Sequence, residues 1–86
     1  MYSKEKYELV FALGNELKRM YDTAKEGEQV TMIHLFGIKY GESIKENGLK
    51  IADIVRAAQI NESYKTEVSK GVNLSKYVDI KNGLSL

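Results

Sequence analysis

Residues Ile54-Val55-Arg56-Ala57-Ala58-Gln59-Ile60-Asn61-Glu62-Ser63-Tyr64-Lys65-Thr66-Glu67-Val68-Ser69-Lys70-Gly71 decide how this chain is read. The stretch begins inside a short apolar helix expected over about residues 51–58. Gln59, Ile60 and Asn61 form a turn, and a second helix with a polar face runs over about residues 62–70. Asn61 suits the N-cap because its side-chain oxygen can accept from an unpaired N–H of the first turn, and Glu62 puts negative charge at the positive end of the dipole. Gly71 is the expected stop. Ile51, Ile54, Val55, Ala58 and Ile60 are apolar and small enough for the two helices to cross closely. Tyr64 and Val68, one turn apart, are expected to point into the core. Asn61, Ser63, Lys65, Thr66 and Lys70 then face outward.

Upstream, Tyr7, Val10, Leu13, Leu17, Met20 and Tyr21 recur at the spacing of an amphipathic helix over about residues 3–24, with Gly27 supplying a left-handed position after it. Val30, Ile33, Leu35, Phe36, Tyr40 and Ile44 mark a central helix over about residues 28–46, stopped by Asn47-Gly48. Gly37 and Gly41 share one face of it. Each costs about 1 kcal/mol relative to alanine in a helix interior, a cost that close approach of another backbone offsets. The expected partner is helix 1, in preference to a second copy of the chain. Downstream, Val72, Leu74, Tyr77, Val78 and Ile80 lead to Asn82-Gly83. They predict an extended tail, either closed by a tight hairpin as a rudimentary wing or frayed over residues 82–86. The chain contains no proline, so helix ends fall to glycine and polar caps. The expected architecture is all-α: one four-helix domain over 1–86, with a two-helix scaffold at 1–47, the helix-turn-helix at 49–71 and the tail at 72–86.

A chain of 86 residues buries only about 60–65% of its unfolded surface. Dimerisation is therefore expected, through an apolar excess on helices 1 and 2 that includes Leu9, Phe11 and Phe36. The absence of cysteine excludes disulfides, thiolate metal sites and cysteine nucleophiles, and fits a reducing cytoplasm. Met1 to Lys6 lacks the apolar core of a signal peptide, and no apolar run approaches the roughly 20 residues of a membrane span, so no membrane partner is expected. Net charge is +1, which argues against a large sequence-independent hold on phosphate. The balance is uneven, however: residues 1–46 carry seven Lys/Arg and eight Asp/Glu, residues 47–86 six and four.

The catalytic and metal readings are weak. His34 is the only histidine and lies among apolar neighbours, so a packed or partly exposed histidine is favoured over a base or ligand, and no cysteine or second histidine could complete a metal site. Glu26 and Glu28 read as solvation of a helix end. Tyr7, Tyr21, Tyr40 and Tyr64 fall at core spacing, which favours packing over base stacking, and Tyr77 is the least constrained. Gly37/Gly41 lacks the Lys-Ser/Thr that follows the glycines of a phosphate loop. No catalytic constellation, cofactor or metal is expected, and the chain reads as no enzyme.

The stretch from Ile54 to Gly71 resembles the helix-turn-helix of phage and bacterial repressors. It departs from that pattern where Gln59 replaces the usual turn glycine, Val55 the usual alanine, and Lys65 a residue that is typically apolar. Met32-Ile33-His34-Leu35-Phe36-Gly37-Ile38-Lys39-Tyr40-Gly41, followed by Asn61-Glu62-Ser63-Tyr64, Thr66-Glu67-Val68, Lys70-Gly71 and Leu74-Ser75-Lys76-Tyr77-Val78, is also similar to small bacterial proteins described as HTH-like. That second similarity covers about residues 28–80 and brings no established activity.

In repressor-type units the first helix braces the second, whose N-terminal side chains meet base edges in the major groove. The resemblance implies a small transcriptional regulator that binds double-stranded DNA as a homodimer. Asn61, Ser63, Lys65, Thr66 and Lys70 would contact bases or phosphates, and Arg56 and Lys50 would clamp the backbone. Glu62 and Glu67 would repel phosphate unless they turn away or pair with a cation. The alternative is a protein-interaction module within a larger regulatory or defence assembly, with Lys65 and Glu67 in interfacial ion pairs.

Overall fold

Ser3 opens the first helix: its backbone is extended and its hydroxyl oxygen accepts from the Lys6 N–H at 3.3 Å. In the computed structural model, which describes residues 2–81, this helix is α1 (Lys4–Asp22), followed by α2 (Gln29–Glu46), α3 (Ile51–Ala58) and α4 (Lys65–Leu74). A single 3-10 turn, Glu62–Tyr64, leads into α4, and there is no strand among the described residues. The fold is all-α, as expected. The Asn82-Gly83 hairpin lies outside the described residues.

The end of α2 shows how local sequence sets the angle at which α3 begins. Gly48 has φ +62°, its N–H donates to the Lys45 carbonyl at 3.1 Å, and the Leu49 N–H donates to the Ile44 carbonyl at 3.0 Å. This pair of bonds is the Schellman arrangement, and the two apolar residues it brackets, Ile44 and Leu49, are both buried. Asn47-Gly48 is therefore the stop that its sequence predicts. Gly27 also adopts positive φ, at +82°, but within the connection to α2 rather than at the end of α1, which Thr23 caps.

The helices associate as two close pairs, α1 with α3 and α2 with α4, while α3 and α4 touch each other little. Glycine explains both pairings. A Cβ at Gly14 would stand 2.6 Å from the Ala57 Cβ; one at Gly37 would stand 2.7 Å from the Gly71 Cα and from the Val68 carbonyl oxygen; one at Gly41 would stand 2.5 Å from the Ser75 Oγ. The partner of the Gly37/Gly41 face is thus α4, not helix 1 as expected. Gly71 is correspondingly not a stop. A Cβ there would fall on the His34 carbonyl oxygen, and α4 runs through it to Leu74, so the first residues assigned to the extended tail are helical.

Leu13, Leu17 and Met20 of α1, Ile33, Phe36 and Ile44 of α2, Ile54 and Val55 of α3, and Val68 and Val72 of α4 form one core. Phe36 has no exposed surface, so it cannot serve the dimer surface on which it was placed. Phe11, at 61% exposure, remains available, and Leu9 is half-buried. Tyr7 and Val30 are exposed and leave the core stripes predicted for them. Among the described residues no helix is long and apolar enough to cross a membrane.

Candidate nucleic-acid interface

The connection between α3 and α4 runs through Gln59, Ile60 and Asn61 into the 3-10 turn Glu62–Tyr64. Gln59 is left-handed, φ +59° and ψ +32°, and is the only non-glycine residue with positive φ among the described residues. Glycine adopts this conformation without the Cβ penalty, which for other residues is about 1–2 kcal/mol. Two residues on, the Asn61 Oδ1 accepts from the Ser63 N–H at 2.9 Å and starts the 3-10 turn. The capping role is met. An adenine read by both amide atoms of Asn61 would have to share the capping oxygen.

Beyond the cap the helix presents a polar face. Asn61, Glu62, Ser63, Lys65, Thr66 and Lys70 are exposed, and Asn73 and Tyr77 continue the same face at helical spacing. Val68 on the opposite side is fully buried, while Tyr64 is only half-buried: its ring meets Tyr21 edge to face at 5.4 Å and the two hydroxyls lie 3.3 Å apart. Burying Val68 and half-burying Tyr64 turns Lys65 outward, so the lysine at a usually apolar position carries no desolvation cost. The Lys65 ammonium and the Thr66 and Ser63 hydroxyls make no hydrogen bond or ion pair among the described residues.

The remaining charges are less free. Glu67 Oε1 accepts from Lys70 Nζ at 3.0 Å, and its Oε2 accepts from His34 Nε2 at 2.6 Å across the α2–α4 contact. These two bonds, the one from His34 foremost, hold the Glu67 carboxyl below the usual carboxylate range. Arg56 is exposed but faces carboxylates, Asp53 at 3.2 Å and Glu62 at 3.8 Å. Lys50 lies at the other end of α3, where its N–H donates to the Tyr2 hydroxyl at 2.5 Å and its side chain is exposed. Lys50 and Arg56 line one cleft with Tyr2, Tyr7 and Asp53.

The structure therefore places Lys65, Thr66 and Lys70 on α4 and Asn61 and Ser63 in the cap and 3-10 turn that lead into it, with Arg56 on α3 and Lys50 at the start of α3. Arg56 sits beside the α4 start through its contact with Glu62. Asn73 was not singled out from the sequence because a helix ending at Gly71 would not have carried it, whereas Tyr77, the least constrained tyrosine in the sequence, lies just beyond the end of α4 at Leu74. The His34–Glu67 pair was missed because 33 residues separate its members; no local spacing signals it.

A family model described as an HTH-like domain matches residues 10–81, which takes in α1 from Val10 onward and the whole of α2, α3 and α4. Neither a curated protein nor a solved structure matches the chain.

Proposed function

The chain belongs to the HTH-like domain family, and from that premise we propose that it binds double-stranded DNA in a sequence-directed, non-enzymatic way as a small transcriptional regulator of the repressor type. In this reading α4 enters the major groove from its N-terminal end. Ser63 and Thr66 hydroxyls and the Asn61 amide meet base edges or phosphates, Lys65 and Lys70 meet guanine or phosphate, and Arg56 and Lys50 hold the strand beside α3. The observation that carries the reading is the state of the α4 start, where Ser63, Lys65 and Thr66 stand exposed with uncommitted polar atoms beside a helix whose opposite face is anchored in the core. Because the backbone of this element is already ordered, a ligand has only the side chains left to immobilise.

A protomer of net charge +1 neutralises few phosphates, and pairing two protomers doubles that number. A homodimer formed through the exposed Phe11 surface of α1 completes the proposal. The same exposed phenylalanine, together with Arg56 turned toward two carboxylates, favours the second reading, in which these helices bind another protein.

The two readings separate in a fluorescence titration with random and selected duplexes across a salt series. A DNA reader weakens steeply with salt, and Lys65→Glu with Lys70→Glu abolishes its binding while helical content stays unchanged. Equal affinity of parent and double variant removes α4 from the reading role. Absence of binding to any duplex at low salt leaves the protein-interaction module.

A further inference from the structure

The three polar groups that join α2 to the outward face of α4 form a chain: His34 Nε2 to Glu67 Oε2 at 2.6 Å, and Glu67 Oε1 to Lys70 Nζ at 3.0 Å. One carboxylate thus holds a scaffold histidine on one oxygen and a cation of the proposed DNA-facing surface on the other. We infer that His34 is a positioning residue for that surface: protonation of its imidazole binds the Glu67 carboxylate more strongly and loosens its hold on Lys70, which is then free for phosphate. This rests on the DNA-binding reading of α4.

Geometry makes the coupling specific. The His34 carbonyl oxygen lies against Gly71, one turn beyond Glu67, so the backbones of α2 and α4 are locked in register at this point and the pair cannot drift apart. Both side chains are largely shielded, with 32% of His34 and 22% of Glu67 accessible, whereas Lys70 is well exposed and able to reorient. Among the described residues no other hydrogen bond or ion pair reaches the imidazole. From α4 the groups facing it are Glu67 and, through Glu67, Lys70. On α2 the positions one turn away are Val30, Thr31, Gly37 and Ile38, none of which titrates. Glu67, held below the usual carboxylate range, stays ionised throughout the interval in which histidines change charge.

The sign follows from linkage. Phosphate near the α4 face favours the protonated histidine, so binding takes up a proton and affinity rises as pH falls. Freeing one lysine adds one neutralised phosphate, which steepens the dependence of log affinity on log salt by about 0.9 and corresponds to roughly threefold in affinity over a fourfold change in salt.

His34→Gln is the discriminating variant, because its amide still donates to Glu67 but never gains charge. Duplex affinity and salt slope are measured at about pH 5.5 and about pH 8, on either side of ordinary histidine titration, for parent and variant. NMR follows the Lys70 side chain in the free protein over the same range. The expected result is a parent that binds more tightly and with a steeper slope at acid pH, a variant that is flat, and Lys70 resonances that move with His34 in the parent alone. Parallel affinity profiles in the two proteins overturn the inference, as do Lys70 resonances indifferent to pH. Loss of all duplex binding in both proteins, with Lys70 still following His34, overturns the DNA reading and with it the role assigned to His34 there, while locating the failure outside the three-group chain.

Discussion

Replacing Gly71 with alanine tests the contact that seats α4. In a solvent-exposed helix the change would stabilise by about 1 kcal/mol through helix propensity. Here the new Cβ falls on the His34 carbonyl oxygen and stands 2.9 Å from the Gly37 Cα, whereas carbon atoms at rest lie about 3.5–4.0 Å apart. Both obstacles are backbone, so neither can rotate away and α4 must lift from α2. That movement loosens Ile33, Phe36, Val68 and Val72, all essentially inaccessible in the parent. Overpacking of this kind typically costs about 1–3 kcal/mol, and backbone against backbone belongs at the upper end. Setting the propensity gain against it leaves a net loss of about 1–2 kcal/mol. For a domain of this size that lowers Tm by roughly 5–15 °C. Thermal unfolding followed by far-UV circular dichroism reads the shift, with Lys70→Ala as an exposed control one residue away. If Gly71→Ala melts at or above the parent temperature, propensity has won, and the close α2–α4 approach is refuted.

Three further outcomes follow from single contacts. Gln59→Gly removes the left-handed penalty at the turn and should stabilise by about 0.5–1 kcal/mol; urea unfolding would show a higher midpoint, and an unchanged or lower one would mean that the turn is not strained. Tyr64→Ala should cost about 2–3 kcal/mol, below the 3–5 typical of a fully buried aromatic, because the ring is only half-buried although it loses its Tyr21 partner; a Tm within a degree or two of the parent would contradict the contact. Glu16 accepts from Arg19 at 2.6 and 3.0 Å and from the Tyr40 hydroxyl at 3.1 Å, and the Arg19 bond above all holds its carboxyl below the usual range. A depressed folded-state value means that this stability is present above the unfolded glutamate range and is lost as pH falls through the folded value. The acid limb of Tm against pH should therefore be shallower in Glu16→Gln; parallel limbs would assign the acid sensitivity elsewhere.

Much of the architecture was legible because it rests on interactions that reach no further than one helical turn. Ser3, Asn61 and the Asn47-Gly48 pair mark helix ends through their own hydrogen bonds, whereas the left-handed backbone of Gln59 was not legible, because nothing in a glutamine signals positive φ. The exposed face of α4 was equally legible, since the burial of Val68 dictates by helical geometry where Lys65 and Thr66 must point. Gly71 was misjudged for a reason that is also physical. Glycine serves both at the end of a helix and where two helices touch, and sequence alone does not distinguish a backbone that turns from one that is crowded.

What sequence by itself determined, then, was the number and order of the helices and the turn that links the last two. These follow from caps, φ preferences and apolar periodicity within the chain's own neighbourhood. Tertiary structure alone decided which helix lies against which, that Phe36 is covered while Phe11 is not, and that His34 meets Glu67. A periodic apolar face specifies that burial must occur but not the surface that provides it. That choice is made where glycine on both sides lets two backbones close, as at Gly37 and Gly71.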